Sequence, residues 1–190
     1  TVDICAAPGG KTFQLLSYGA KVKAIEKNNR RAELMKENLR RLKFNCEVEV
    51  KDLQKIKEIQ KYDLIVLDAP CSSIGTIRRH PEIFFRKKIP DLKKITHIQA
   101  QLLEQSKLLL KTNGILIYMV CSFFQEEGEI QIKKFLKNNK SFSLQKISSN
   151  KIGYIQHFIN KNGCYYVIPS KLENNVLIDG FFTAQLKKNV

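Results

Sequence analysis

A chain of 190 residues, 43% hydrophobic and 27% charged with only 9 Gly and 5 Pro, can bury the core of one domain, which excludes collagenous, disordered and low-complexity classes. Lys and Arg number 33 against 18 Asp and Glu, a net charge of +15, so a polyanion partner is expected. Nucleic acid comes ahead of a membrane surface, because no basic amphipathic anchor stands out.

In chain order, Thr1 to Cys5 is short, apolar and strand-like, and Thr1-Val2-Asp3-Ile4 has neither the charged head nor the apolar run of a signal peptide. Lys21 to Glu26 is a second strand. Arg30 to Leu42 places Leu34, Met35, Leu39 and Leu42 at helical spacing. Cys46 to Val50 alternates as a strand does. Tyr62 to Leu67, apolar apart from Asp63, predicts a buried parallel strand ending at Asp68. Leu92 to Leu110 predicts a long helix stopped by Asn113-Gly114. Ile115 to Val120 follows as a strand, Gln125 to Leu136 as a helix, and Tyr165 to Ile168 and Gly180 to Leu186 as late strands. The uncharged apolar runs have strand length, far short of a membrane span.

Strands alternating with helices imply an open α/β sheet, whose ligands sit at the carboxyl ends of the strands. Those ends carry Asp3 to Lys11, Glu26, Asp52, Asp68 to Ser72 and Cys121-Ser122, and most of the unusual chemistry falls there.

The run Asp3-Ile4-Cys5-Ala6-Ala7-Pro8-Gly9-Gly10-Lys11-Thr12 follows the first strand and opens a helix. It is not a phosphate loop, because Cys5 stands where the first Gly of that motif belongs, and the dinucleotide pattern fails as well. A nucleoside cofactor without a polyphosphate fits better. Glu26, ending the second strand, suits the ribose hydroxyls, and Asp52 the adenine amino group.

Five cysteines, an odd number with no C-x-x-C pair, argue against a disulfide framework or a metal site and for a reducing, cytoplasmic setting. Cys71 and Cys121 both follow strands, so they can face one pocket. Pyrimidine methylation at carbon explains such a pair: a thiolate adding to carbon 6 of cytosine makes carbon 5 nucleophilic toward a methyl sulfonium. The site must then favour the thiolate, with Lys11 a candidate helper. Asp68 is a candidate acid on the N3 side of the ring. Spacing alone leaves open which cysteine attacks.

At these residues the sequence resembles the Sun (Fmu, RsmB, NSUN) family of RNA cytosine-C5 methyltransferases. The resemblance is carried by DICAAPGGKT, DAPCSSIGTIRRHPE, VCS followed by QEEGE, and DGFFTAQLKK, and it extends from Asp3 to Lys188. Gly75 to Glu82 is particularly similar to the bacterial RsmB branch, which acts on small-subunit (16S) ribosomal RNA. The resemblance implies a Rossmann-like class I S-adenosylmethionine-dependent methyltransferase. Its mostly parallel, seven-stranded sheet would carry helices on both faces, with the first strand truncated. It implies one catalytic domain over residues 1–190, a fragment without the family's N-terminal RNA-binding region. It further implies that Cys5, Ala6, Ala7, Pro8, Gly9, Gly10, Lys11, Glu26, Asp52 and Asp68 hold S-adenosylmethionine. Cys121 would be the nucleophile, and Cys71 would assist release of the covalent adduct. Four positions differ from the family pattern: Glu26 for Asp, Val120 for Thr, Gln125 for Pro and Gly128 for Asn.

Between Arg78 and Lys94, the basic residues Arg78, Arg79, Arg86, Lys87, Lys88, Lys93 and Lys94 outnumber Glu82 and Asp91. Arg78, Arg79, Arg86, Lys87 and Lys88 are candidate RNA phosphate contacts. Phe84 and Phe85 are expected to pack in the core rather than stack on bases. His80, His97 and His157 receive no catalytic role. Two other classes compete: a non-catalytic basic RNA-binding module on the same fold, and a DNA cytosine methyltransferase, which would leave Cys121 unexplained.

Overall fold

The computed structural model describes residues 1–55, 61–85, 90–147, 153–172 and 176–190. Strands β1 (Val2–Ile4), β2 (Lys23–Glu26) and β3 (Glu47–Val50) alternate with helices α1 (Gly10–Ser17) and α2 (Asn29–Leu42). They are followed by β4 (Tyr62–Asp68), α3 (Leu92–Leu109), β5 (Leu110–Val120), α4 (Glu129–Asn138) and β6 (Phe142–Gln145). The short strands β7 (Tyr165–Val167), β8 (Ser170–Lys171) and β9 (Leu177–Ile178) precede the long closing strand β10 (Phe181–Lys188).

Seven strands lie in the order β3-β2-β1-β4-β5-β10-β6, and β7 adds an eighth by pairing with β10. From β3 to β5 all neighbours are parallel, and β10 runs antiparallel to β5, β6 and β7. The chain winds outward from β1 through β2 to β3, then returns to place β4 on the other side of β1. That reversal opens a crevice above the carboxyl ends of β1 and β4, the position ligands take in such sheets.

Both faces of the sheet are covered. Ala24 and Ile25 are consecutive in β2 and therefore point to opposite sides. Ala24 packs with Met35 and Leu39 of α2 and Phe13 and Leu16 of α1. Ile25 joins Leu102, Leu103 and Leu109 of α3 and Ile132 and Phe135 of α4. The second face is the larger core, centred on the fully buried Ile4, Ile65, Leu67, Leu116, Tyr118 and Phe182. Asn28 caps α2 by accepting from the Arg31 amide at 3.0 Å, and Asp91 caps α3 through the Lys94 amide at 3.1 Å.

Three local expectations are corrected. Helix α2 buries Ala32, Met35 and Leu39, while Leu34, about 130° around the helix from the centre of that stripe, and Leu42, its last residue, are exposed. Asn113-Gly114 does not end α3, which passes directly into β5 at Leu110. Tyr62 pairs with Leu110 and Leu64 with Ile115, so residues 111–114 form an irregularity in the ladder, with Asn113 at a φ of 63°. The helix expected from Gln125 begins at Glu129, because the Gly128 amide turns back to the carbonyls of Phe124 and Gln125.

Candidate active site

The loop after β1 is folded by its own small residues. Gly9 sits at a φ of +113°, and a Cβ there would lie 2.1 Å from the Phe13 ring, so only glycine fits. The Ala6 amide bonds the Ile25 carbonyl, which draws the loop over the end of β2. Glu26 is buried, and its carboxylate accepts from the amides of Ala7 at 3.2 Å and Asn28 at 2.9 Å. Each carboxylate oxygen keeps a second lone pair for a ligand. Asp52 accepts from the Gln54 amide at 3.1 Å and pairs with Lys27 at 2.7 Å, which holds its carboxyl below the usual range. Asp3 is fully buried beside Thr12, whose hydroxyl donates to it at 2.5 Å, and burial pushes its carboxyl up to about 6.

A cavity of about 660 Å³ occupies the crevice. Cys5, Glu26, Asp52, Asp68, Cys71 and Cys121 line it together, with Arg31 among the basic residues at its rim. The two catalytic candidates and three of the carboxylates read from the sequence thus share one space. Of the loop from Cys5 to Lys11, Cys5 lines the cavity, Ala6 and Ala7 are buried in the smaller core with Ala24 and Met35, and Pro8 and Gly10 are exposed.

β4 and β5 are neighbours, so the loops that follow them meet. The Cys71 and Cys121 sulfurs are 3.2 Å apart, and Ser73 Oγ lies 3.7 Å from Cys121 Sγ. The contact between the sulfurs, together with burial, holds the Cys71 thiol far above its ordinary range. The same bond, helped by Ser73, draws Cys121 down to about 6 against the opposing effect of burial. The other cysteines move the opposite way: burial raises Cys5 to about 12 and Cys164 to about 11, and it raises Cys46 as well. Lys11 does not serve the thiolate as expected. Its ammonium is bound to Asp68 at 2.6 Å and lies 5.6 Å from the centre of the Phe181 ring.

The four motif segments converge here. Lys11 joins the first to Asp68 of the second and Phe181 of the fourth. The Gly75 amide bonds the Cys121 carbonyl at 3.1 Å, and the Gly180 amide bonds the Gly75 carbonyl at 2.8 Å. Arg79 pairs with Asp179 at 2.5 Å and Arg78 approaches it at 3.3 Å, so both guanidiniums tie the loop after Cys71 to the start of β10 while staying partly exposed. Arg86, Lys87 and Lys88 lie outside the described residues. Phe84 and Phe85 are corrected: they are 73% and 83% exposed, and Ile83 alone of the turn Pro81–Phe85 is buried, since a three-residue turn directs few side chains inward.

Sequence reasoning missed Glu127, a buried carboxylate bonded to the residue after each cysteine. Its sequence signal was its place in the QEEGE run after Cys121, which served there only as part of the resemblance. Val120 is fully buried, and a Cβ at Gly128 would meet the Phe182 ring at 2.9 Å, so both departures from the family pattern fit their local packing. Among the described residues no group of three or more His, Cys, Asp or Glu could hold a metal ion, and no helix is long and apolar enough to cross a membrane.

Comparisons with known proteins follow this geometry. A ribosomal RNA small subunit methyltransferase B from Pasteurella multocida is 35% identical over 203 residues, covering 100% of this chain and 42% of that protein. The chain therefore spans about two fifths of the length of such curated relatives. The solved structure of NSun6 from Pyrococcus horikoshii with SFG superposes with a TM-score of 0.80 at 29% identity, covering 98% of this chain and 47% of that one. An S-adenosylmethionine-dependent methyltransferase from Clostridium acetobutylicum, at 11% identity and a TM-score of 0.60, covers 100% of this chain and 83% of that one and shares the fold alone. The family model described as 16S rRNA methyltransferase RsmB/F matches residues 1–187, and the chain belongs to that family, on the Rossmann-like fold of S-adenosylmethionine-dependent methyltransferases.

Proposed function

We propose that this chain is a methyltransferase catalytic domain that modifies carbon 5 of a cytosine in 16S ribosomal RNA through a covalent adduct on Cys121. The observation that carries this reading is the thiol pair, 3.2 Å apart, on the wall of a cavity that also presents Glu26 and Asp52. Paired thiols beside nucleoside-binding carboxylates favour catalysis over a module that only binds RNA.

The cavity suits S-adenosylmethionine. Its volume of about 660 Å³ and the spare lone pairs of Glu26 match a nucleoside without a polyphosphate. When bound, that group supplies the methyl of a sulfonium. The target base must leave its stack to enter. The Cys121 thiolate then bonds carbon 6, the electron pair moves to carbon 5, and carbon 5 takes the methyl group. Asp68, paired with Lys11, lines the same cavity, and we assign it both to the cofactor and to the N3 side of the ring. Loss of the carbon 5 proton to a base breaks the sulfur–carbon 6 bond and returns the thiolate. The Cys71 thiol stabilises that departing thiolate with the hydrogen bond it donates in the resting site. Arg78 and Arg79, with Arg86, Lys87 and Lys88 of the same basic run of sequence, supply positive charge for phosphates, and the exposed Phe84 and Phe85 offer stacking surfaces.

Calorimetry with S-adenosylmethionine tests the cavity directly. The wild-type protein takes up one equivalent. Asp68→Ala weakens binding about tenfold, the loss expected for a hydrogen bond involving a charged group. No uptake by the wild-type protein would remove the cofactor assignment, and unchanged uptake by Asp68→Ala would remove Asp68 from it.

A further inference from the structure

We propose that Glu127 is the positioning residue of the cysteine pair: its buried carboxylate fixes the distance between the two sulfurs by holding the residue that follows each. Its catalytic meaning rests on the function proposed above, although the geometry does not depend on it.

Glu127 has no exposed surface, and its carboxylate bonds both cysteine loops and Gln99 of α3. Ser72, next to Cys71, donates its amide to Oε1 at 2.8 Å and its hydroxyl to Oε2 at 2.6 Å. Ser122, next to Cys121, donates its hydroxyl to Oε2 at 2.5 Å. Gln99 of α3 donates to Oε1 at 3.1 Å and to the Pro70 carbonyl at 3.0 Å, so the lip before Cys71 is drawn to the same point. The Glu127 carbonyl accepts from the Tyr118 hydroxyl at 2.7 Å, which anchors the staple in β5. A buried carboxylate is costly unless its acceptor sites are filled, and here the donors that fill them come from both catalytic loops. The two serine hydroxyls also lie 3.3 Å apart, and both donate to the same carboxylate oxygen.

Thiols donate weakly, so the bond that favours the Cys121 thiolate depends on the separation of the sulfurs. Loops released by a few tenths of an ångström would weaken it. The charge of Glu127 has the opposite sign of effect, since a nearby anion disfavours a thiolate and is one of the influences raising Cys71. Position and charge are thus separable.

The test follows alkylation of Cys121 by iodoacetamide from pH 5 to 9, read by peptide mass spectrometry. It needs no RNA. In Glu127→Ala the midpoint moves up by about one unit or more, toward an ordinary thiol near 8.5. In Glu127→Gln the amide oxygen still accepts from Ser72 and Gln99, and its NH₂ group can donate to the two serine hydroxyls. That midpoint stays within about half a unit or falls, because the charge is gone and the bonds remain. A folded Glu127→Ala with the wild-type midpoint overturns the inference, and so does an upward shift in Glu127→Gln equal to that in Glu127→Ala. Should Glu127→Ala not fold, Ser122→Ala decides the matter: it frees only the Cys121 loop, so its midpoint rises if Glu127 positions the pair and stays put if it does not. A raised midpoint in Glu127→Ala, together with a wild-type protein that methylates no RNA, would sink the proposed function and leave this inference standing.

Discussion

Cys71→Ala accumulates a covalent RNA–protein adduct that survives denaturation, and Cys121→Ala forms none and transfers no methyl group. Each effect follows from the hydrogen bond between the sulfurs. In the resting site the Cys71 thiol stabilises the Cys121 thiolate and lowers it to about 6. After methyl transfer the same donor stabilises that thiolate as it leaves carbon 6. Removing Cys71 therefore harms the last step most. It also raises Cys121 toward the ordinary value of about 8.5, so the comparison belongs near that pH, where both proteins hold thiolate. The sign of the pH dependence is fixed by the direction of the shift. A lowered thiol is charged above its own midpoint, so wild-type adduct formation is nearly flat above about pH 7 and falls tenfold per unit below about 6. In Cys71→Ala that fall begins more than a unit higher. Denaturing gels of enzyme mixed with RNA, run across pH, check both claims. Full turnover by Cys121→Ala would refute the assignment of the nucleophile.

Gly75→Ala lowers stability by about 1–3 kcal/mol, the range for an overpacked interior site, and slows adduct formation at least tenfold. A Cβ at Gly75 would stand 2.0 Å from the Gly180 carbonyl oxygen and 2.9 Å from that of Cys121. Both obstacles are backbone, so neither can rotate aside. Relief requires Gly75 to withdraw, which breaks its amide bond to the Cys121 carbonyl and the return bond from the Gly180 amide. The loop carrying Cys71 and Ser73 then drifts from Cys121. Thermal unfolding and adduct gels measure the two effects. A variant as stable and as active as wild type would show that these backbones have room to spare.

The cysteine pair was legible because parallel strands order their carboxyl ends in one direction: two sulfurs after two apolar strands must fall on one edge of the sheet. The carboxylates Glu26, Asp52 and Asp68 were legible for the same reason. The neighbours that tune them were hidden, because each joins segments far apart in sequence. Lys11 looked like help for a thiolate and instead neutralises Asp68 across 57 residues. Glu127 stood only as part of the QEEGE run, yet it reaches Ser72 across 55 residues. Arg78 and Arg79 looked like phosphate contacts, and their pairing with Asp179 needed the returning strand β10 to be seen. Apolar identity misled in the other direction at Phe84, Phe85 and Leu34, where local turn and helix geometry, not side-chain chemistry, decides what faces water.

The account depends on which sulfur bonds the base. An RNA substrate whose cytosines carry fluorine in place of the carbon 5 hydrogen cannot lose that atom to a base, so a methylated adduct on the wild-type protein should persist. Digestion and mass spectrometry then locate the linkage. The account predicts a modified peptide containing Cys121, formed only when S-adenosylmethionine is supplied. A linkage through Cys71 instead would contradict it.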